Sequence, residues 1–178
     1  MKKQIIIATL ALGAIIFGTN NTQAQTATTA VNIKLSDVIS IDAGSVANGG
    51  IVDFNYVTAE DYNTTKTATV ENSLIVTSTK NFDVKVKAEG ENFTNGANVI
   101  PVNVLTIKAA AGGSMAGTRN TIVLSNNDQV LIGNAPLGSA LTLNLDYEIP
   151  ASKSSSTDIL GKPAGTYTQN VTYTATAL

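Results

Sequence analysis

The sequence predicts an all-β protein, an Ig-like or Greek-key β-sandwich of about eight to nine antiparallel strands. Three observations predict it. Apolar residues recur with period two in one stretch after another. Clusters of Gly, Asn, Asp and Pro separate those stretches. No segment beyond residue 24 keeps a helical period for more than two turns. A closed barrel remains the competing architecture, because strand count and period do not separate the two.

The C-terminal run Gly165–Leu178 shows the pattern most plainly. Tyr167, Val171, Tyr173, Ala175 and Ala177 fall on one face, and Thr168, Asn170, Thr172, Thr174 and Thr176 on the other. That is a half-buried strand. At the opposite end, residues 1–24 have the form of a secretory signal peptide. Lys2 and Lys3 are its positive start, and Ile5–Phe17 is its apolar stretch. Thr22-Gln23-Ala24 precedes a cut before Gln25. The apolar stretch is short for a membrane span. Residues 25–178 then form one domain, large enough to bury roughly two-thirds of its unfolded surface.

Val31, Ile33 and Leu35 alternate, and Ile39 and Ile41 continue in the same phase, as one long strand or two short ones. Ala43–Gly50 is a turn by composition. Val52, Phe54 and Tyr56 predict the next strand, and Ala59–Lys66 a loop. Thr67–Thr77 and Phe82–Ala88 are strands whose short connection, Ser78–Asn81, predicts a hairpin. Glu89–Asn98 is expected to be a loop, with Asn95-Gly96 as its turn. Ile100, Val102 and Val104 hold one phase and Leu105 and Ile107 the other, a slip that predicts a β-bulge. Ala109–Asn120 is expected to be a flexible connection. Ile122 and Leu124 are expected to form a hairpin with Val130 and Ile132 around Asn126-Asn127-Asp128. Leu141, Leu143, Leu145, Tyr147 and Ile149 make the cleanest internal strand, and Pro150–Ala164 a loop.

Composition limits the chemistry. The chain has no histidine, cysteine or tryptophan and a formal net charge of −2. Nucleophile–histidine catalysis and histidine- or cysteine-based zinc sites therefore have no residues to use. No disulfide or lipid-bearing cysteine is available. No basic cluster offers phosphate neutralisation, so nucleic acid is not an expected partner. Asp146 and Glu148 share a strand face about 7 Å apart, a spacing that glycosidase acids use. Their alternation predicts a solvated outer face instead. Gly112–Arg119 superficially resembles a phosphate loop but lacks the Gly-Lys-Ser/Thr ending. Glu60-Asp61 and Asn126-Asn127-Asp128 carry oxygen ligands without the spacing of a calcium loop. Thr168, Thr172, Thr174 and Thr176 form a single row, whereas an ice- or carbohydrate-binding array needs neighbouring rows. Of the five tyrosines, Tyr56, Tyr147, Tyr167 and Tyr173 alternate with core positions. Tyr62, in a loop, is the candidate for an exposed contact. No cofactor and no metal are expected.

Ala164-Gly165-Thr166-Tyr167, followed by Val171-Thr172-Tyr173-Thr174-Ala175, resembles the closing strand of bacterial exported β-sandwich domains. These are the subunits of chaperone–usher fimbriae, spore-coat-U-like pilus domains and WxL-type cell-surface domains. Val31–Ile41 resembles their opening strand and Leu74–Val86 their apolar hairpin. The fimbrial disulfide and the Trp-x-Leu signature are both absent. The resemblance implies a non-enzymatic, exported structural or adhesive protein, extracellular or at the cell surface after transit through the periplasm. Its specific form is a pilus (fimbrial) subunit that assembles with copies of itself or other surface subunits by β-strand addition. The donor segment would then be Gln25–Ile41, through Val31, Ile33, Leu35, Ile39 and Ile41. Set against this is the same segment serving as the first strand of its own sandwich. The alternative function is a monomeric module that binds polysaccharide or cell wall. A secreted carboxylate hydrolase is a third, weaker expectation. No membrane span is expected in the mature chain.

Overall fold

A computed structural model describes residues 25–178; the predicted signal peptide, residues 1–24, lies outside the described residues. The chain divides into two units, residues 1–34 and 35–178. In the first, residues 25–34 adopt no regular structure and are exposed.

The second unit is an all-β sandwich of two open antiparallel sheets, not a closed barrel. Its strands are β1 (Ile39–Ile41), β2 (Lys66–Ser78), β3 (Phe82–Ala88), β4 (Asn92–Asn95), β5 (Asn98–Pro101) and β6 (Thr106–Ala109). They continue with β7 (Thr118–Arg119), β8 (Ile122–Val123), β9 (Gln129–Ala135), β10 (Gly138–Ile149) and β11 (Val171–Ala177). One sheet has the order β1-β2-β10-β6-β8, the other β11-β3-β9-β7, and β4 pairs with β5 in a separate hairpin.

β2, β3, β9, β10 and β11 form where period two predicted strands, because each has one face to bury. Leu143, Leu145, Tyr147 and Ile149 of β10, with Leu74 and Val76 of β2, fill the inner face of the first sheet. Phe82, Val84, Val86 and Ala88 of β3, with Leu131, Ile132 and Ala135 of β9, fill the other. Together they form one hydrophobic core. Intervening residues such as Asp83, Lys85 and Lys87 turn outward.

Connections between strands depart most from expectation. β2 and β3 do not form a hairpin: β2 lies in one sheet and β3 in the other. Ser78–Asn81 is an arch over the core, held by buried Ser78, whose Oγ donates to Lys80 O at 2.6 Å. The expected hairpin around Asn126–Asp128 is likewise a crossing. Leu124 N–H donates to Leu105 O on the first-sheet side, while Ser125 O accepts from Ala88 N–H on the other. Both inner faces are apolar, and a short link satisfies either geometry, so strand pattern alone does not distinguish them.

Three further expectations change. Asn95-Gly96 does turn the chain, but the flanking residues pair as the β4–β5 hairpin. At Val102–Val104 a 3-10 turn, not a bulge, switches the phase and lets Val102, Val104 and Leu105 all be buried. Gly112–Arg119 is pinned: Met115 enters the core, Ser114 N–H donates to Thr142 Oγ1, and Arg119 donates to Ala110 O. A Cβ on Gly113 would sit 2.6 Å from Thr142 O, so only glycine fits this close approach. The described residues contain no helix long and apolar enough to cross a membrane.

The two faces make distinct demands on side chains. Leu145→Ala, in the centre of the core, is expected to cost about 2–5 kcal/mol in denaturant unfolding. Val123→Ala, about half exposed on β8, should change stability by less than about 0.5 kcal/mol. Equal effects would contradict the placement of the core.

Candidate strand-accepting groove

Two sheets have four edges. Three are very short here: β1 has three residues, β7 and β8 two each. The fourth, β11, has seven. β11 pairs with β3 through its whole length, from Val171↔Ala88 to Ala177↔Phe82, and lies at the sheet edge. In an antiparallel ladder, alternate N–H and C=O groups of an edge strand point away from its one partner. Natural edges are commonly blunted by charge, proline or a bulge. Val-Thr-Tyr-Thr-Ala-Thr-Ala contains no charge and no proline, and its pairing with β3 is unbroken.

Across from β11 runs the segment 51–57. Val52, Phe54 and Tyr56 are half-buried against the core and the residues between them are exposed. This is the strand expected from the sequence, yet it joins no ladder. Residues 51–56 make no backbone–backbone hydrogen bond among the described residues, and Val57 N–H goes to the Asp61 carboxylate at 2.9 Å. The sequence supplies the alternation, but no neighbouring strand supplies the partner groups.

Between β11 and this segment lies an open-sided cavity of about 340 Å³, walled by Val52, Phe54, Val70, Phe93, Leu105, Val171 and Tyr173. A second hollow, about 410 Å³, shares Ala47, Val171 and Tyr173 with it and is bounded by Ile41 and Leu74. Together they make a trench beside the N-terminal half of β11. Its floor is not wholly apolar. Tyr147 and Tyr173 hydroxyls are 2.7 Å apart, and Tyr147 also reaches buried Ser73 Oγ at 3.4 Å. This hydroxyl chain joins β2 and β10 of one sheet to β11 of the other. Ser73 is placed by a bulge in β2, where Asn72 has φ 49° and its N–H bonds Asn144 Oδ1.

Burial raises the Tyr173 pKa well above the usual tyrosine range, and adjoining Tyr147 raises it further. Burial also raises Tyr56, whose hydroxyl pairs with buried Ser154 at 2.8 Å. Tyr62 is not the exposed contact expected of it: a 3-10 turn at Glu60–Tyr62 folds it onto Tyr56, with ring centroids 4.9 Å apart.

The five donor-segment residues separate into two groups. Ile39 and Ile41 belong to β1, paired with Ser78 and Val76 of β2 and half-buried. Val31, Ile33 and Leu35 lie outside any strand and are 82–90% exposed. Three alternating large apolar side chains are thus exposed close together in sequence.

The remaining candidates lie elsewhere. Asp146 accepts from Thr69 Oγ1 at 2.6 Å and Glu148 pairs with Lys108 at 2.7 Å, both on the outer face of the first sheet. Asp61 is held well below the usual carboxylate range, first by Lys66 and then by the N–H groups of Thr58 and Val57. Asp128 pairs with Lys87. No group of three or more potential metal ligands occurs among the described residues. Thr172, Thr174 and Thr176 oppose Lys87, Lys85 and Asp83, so the adjoining row is charged, not a second threonine row. Searches against known proteins agree with no prior class: the chain matches no protein family and no curated protein sequence.

A raised tyrosine pKa favours the neutral folded form. Its stabilising effect is complete below the unfolded value, about 10, and is lost as pH climbs from there through the higher folded value. Denaturant unfolding from pH 8 to 11 should therefore show a smaller alkaline loss of stability in Tyr173→Phe than in the parent chain. Parallel curves would contradict the enclosure of this hydroxyl.

Proposed function

We propose that this is an exported, non-enzymatic structural or adhesive surface protein, a pilus-type subunit that assembles by β-strand addition. One observation supports the reading: among the described residues the one long sheet edge carries no charge and no proline and is flanked by a trench of mixed apolar and polar lining. Such an edge offers backbone hydrogen bonds for affinity and pockets for alternate side chains for selectivity. A free edge of this kind is otherwise an aggregation hazard, which a fixed occupant removes. The occupant is the N-terminal arm of a second copy, because Val31, Ile33 and Leu35 have the required spacing and are exposed. Ile39 and Ile41 serve their own sheet, so the donating part is the arm up to Leu35. The resemblance to exported fimbrial and cell-surface domains and the leader-like residues 1–24 support the same reading.

The test compares the exported chain with one lacking Gln25–Leu35, using size exclusion with light scattering. The parent is expected to form multimers and the truncated chain to remain monomeric. Ile33→Asp in the arm should abolish assembly while leaving the melting temperature unchanged, since this side chain adds no burial to its own fold. Ala175→Lys, on the receiving strand, should also abolish assembly through an inward-pointing charge, with a lowered melting temperature because Ala175 packs against the core. Assembly indifferent to all three changes would refute strand addition, and retention on glycan or cell-wall material would favour the monomeric binding module.

A further inference from the structure

Asparagine-linked glycans attach at Asn-x-Ser/Thr in surface loops of exported proteins, because a transferase must reach both the amide and the hydroxyl two residues on. The sequence holds four such triplets. Asn20-Asn21-Thr22 falls within residues 1–24, outside the described residues. The fold places the other three very differently: Asn63-Thr64-Thr65, Asn92-Phe93-Thr94 and Asn170-Val171-Thr172.

Two of these are closed to a transferase. Asn92 and Thr94 lie in β4, and Asn92 is half-buried. Asn92 pairs with Pro101 across the hairpin, and its carbonyl accepts from Gln169 Nε2 at 2.7 Å. Thr94 is held from both sides, by Val99 of β5 and by two backbone hydrogen bonds with Thr168. At the third triplet one carboxylate occupies both reacting groups. Glu89 accepts from Asn170 Nδ2 at 3.0 Å and from Thr172 Oγ1 at 3.1 Å. Thr172 is also fixed in β11, opposite Lys87.

Asn63-Thr64-Thr65 is open. All three residues are exposed, and they stand between the Glu60–Tyr62 turn and the start of β2, outside any ladder. The turn presents them. The Asp61 carboxylate accepts from Val57 N–H and Thr58 N–H and pairs with Lys66, and Asn63 N–H closes onto Glu60 O. Asn63 Nδ2 donates to exposed Ala59 O at 2.8 Å, which uses one of its two amide hydrogens. Thr65 Oγ1 accepts from Ala151 N–H at 3.1 Å, so its own hydroxyl hydrogen is left to donate. Asn63 lines neither hollow of the trench.

We propose that Asn63 is the acceptor for an asparagine-linked glycan, donated by a lipid-diphosphate oligosaccharide. Asn63 Nδ2 forms a bond to C1 of the first sugar, and the C1–O bond to the diphosphate breaks. The diphosphate leaves with that electron pair, and the amide nitrogen gives up one proton. This assignment rests on the exported reading, which brings the chain to such a donor, and is independent of strand addition.

The test expresses the full chain in bacteria whose periplasm carries a single-subunit oligosaccharyltransferase and a lipid-linked oligosaccharide of known mass. Intact mass spectrometry of the periplasmic protein is expected to show a gain of one oligosaccharide, and peptide mapping to place it on Asn63. Asn63→Gln and Thr65→Ala should each abolish the gain, whereas Asn92→Gln and Asn170→Gln should leave it unchanged. Asn63→Gln should keep the parent melting temperature, which separates loss of the acceptor from loss of the fold. The same transfer is run on the purified chain with enzyme and donor added. A chain that stays in the cytoplasm with its leader intact would overturn the exported reading, and the purified reaction still judges the acceptor. No gain in that reaction, beside a control peptide that is modified, would overturn the assignment. So would a gain that survives Asn63→Gln.

Discussion

A β-sheet leaves a row of peptide groups unpaired at each edge, and the organisation of this protein follows from how it treats those rows. At β1, β7 and β8 the strands are so short that little edge is presented. At β11 seven residues are left with one partner strand. The same deficit appears across the trench, where residues 51–57 alternate in burial without making a ladder. Both features leave backbone groups without a strand partner on one side.

The surrounding core makes that deficit tolerable. Leu74, Val76, Val84, Val86, Leu143 and Leu145 are essentially fully buried, so cohesion between the sheets does not depend on filling the trench. The hydroxyl chain Ser73–Tyr147–Tyr173 adds a polar tie between the sheets where apolar packing thins out. No buried side-chain polar atom among the described residues is left without a partner. The open demand is thus confined to backbone groups and apolar surface, the two things an added strand supplies.

Charge is distributed consistently with this division. None of the five ion pairs among the described residues lines the trench; they include Lys108–Glu148 on an outer sheet face, Lys66–Asp61 beside the Glu60–Tyr62 turn, and Lys80–Asp37 at the arch. Surface pairs of this kind contribute little stability. The outward charges on β3 break up the threonine surface of β11.

Much of this was legible from residue order alone. Period two identified β3, β10 and β11 and their inward side chains, because a side chain in a strand has only two faces to choose between. The missing histidine and cysteine narrowed the chemistry before any geometry was known. Val31, Ile33 and Leu35 were visible as an alternating apolar run by the same alternation. Residue order did not reveal that Ser78–Asn81 and Ser125–Asp128 cross between sheets, since hairpins and arches of equal length place the same residues in the same phase. Nor did it reveal that Val52, Phe54 and Tyr56 lack a ladder, or that β11 is left at an edge. Alternation records which way side chains face, whereas hydrogen-bond partners are chosen by strands distant in sequence, and only the folded arrangement decides which strand is left without one.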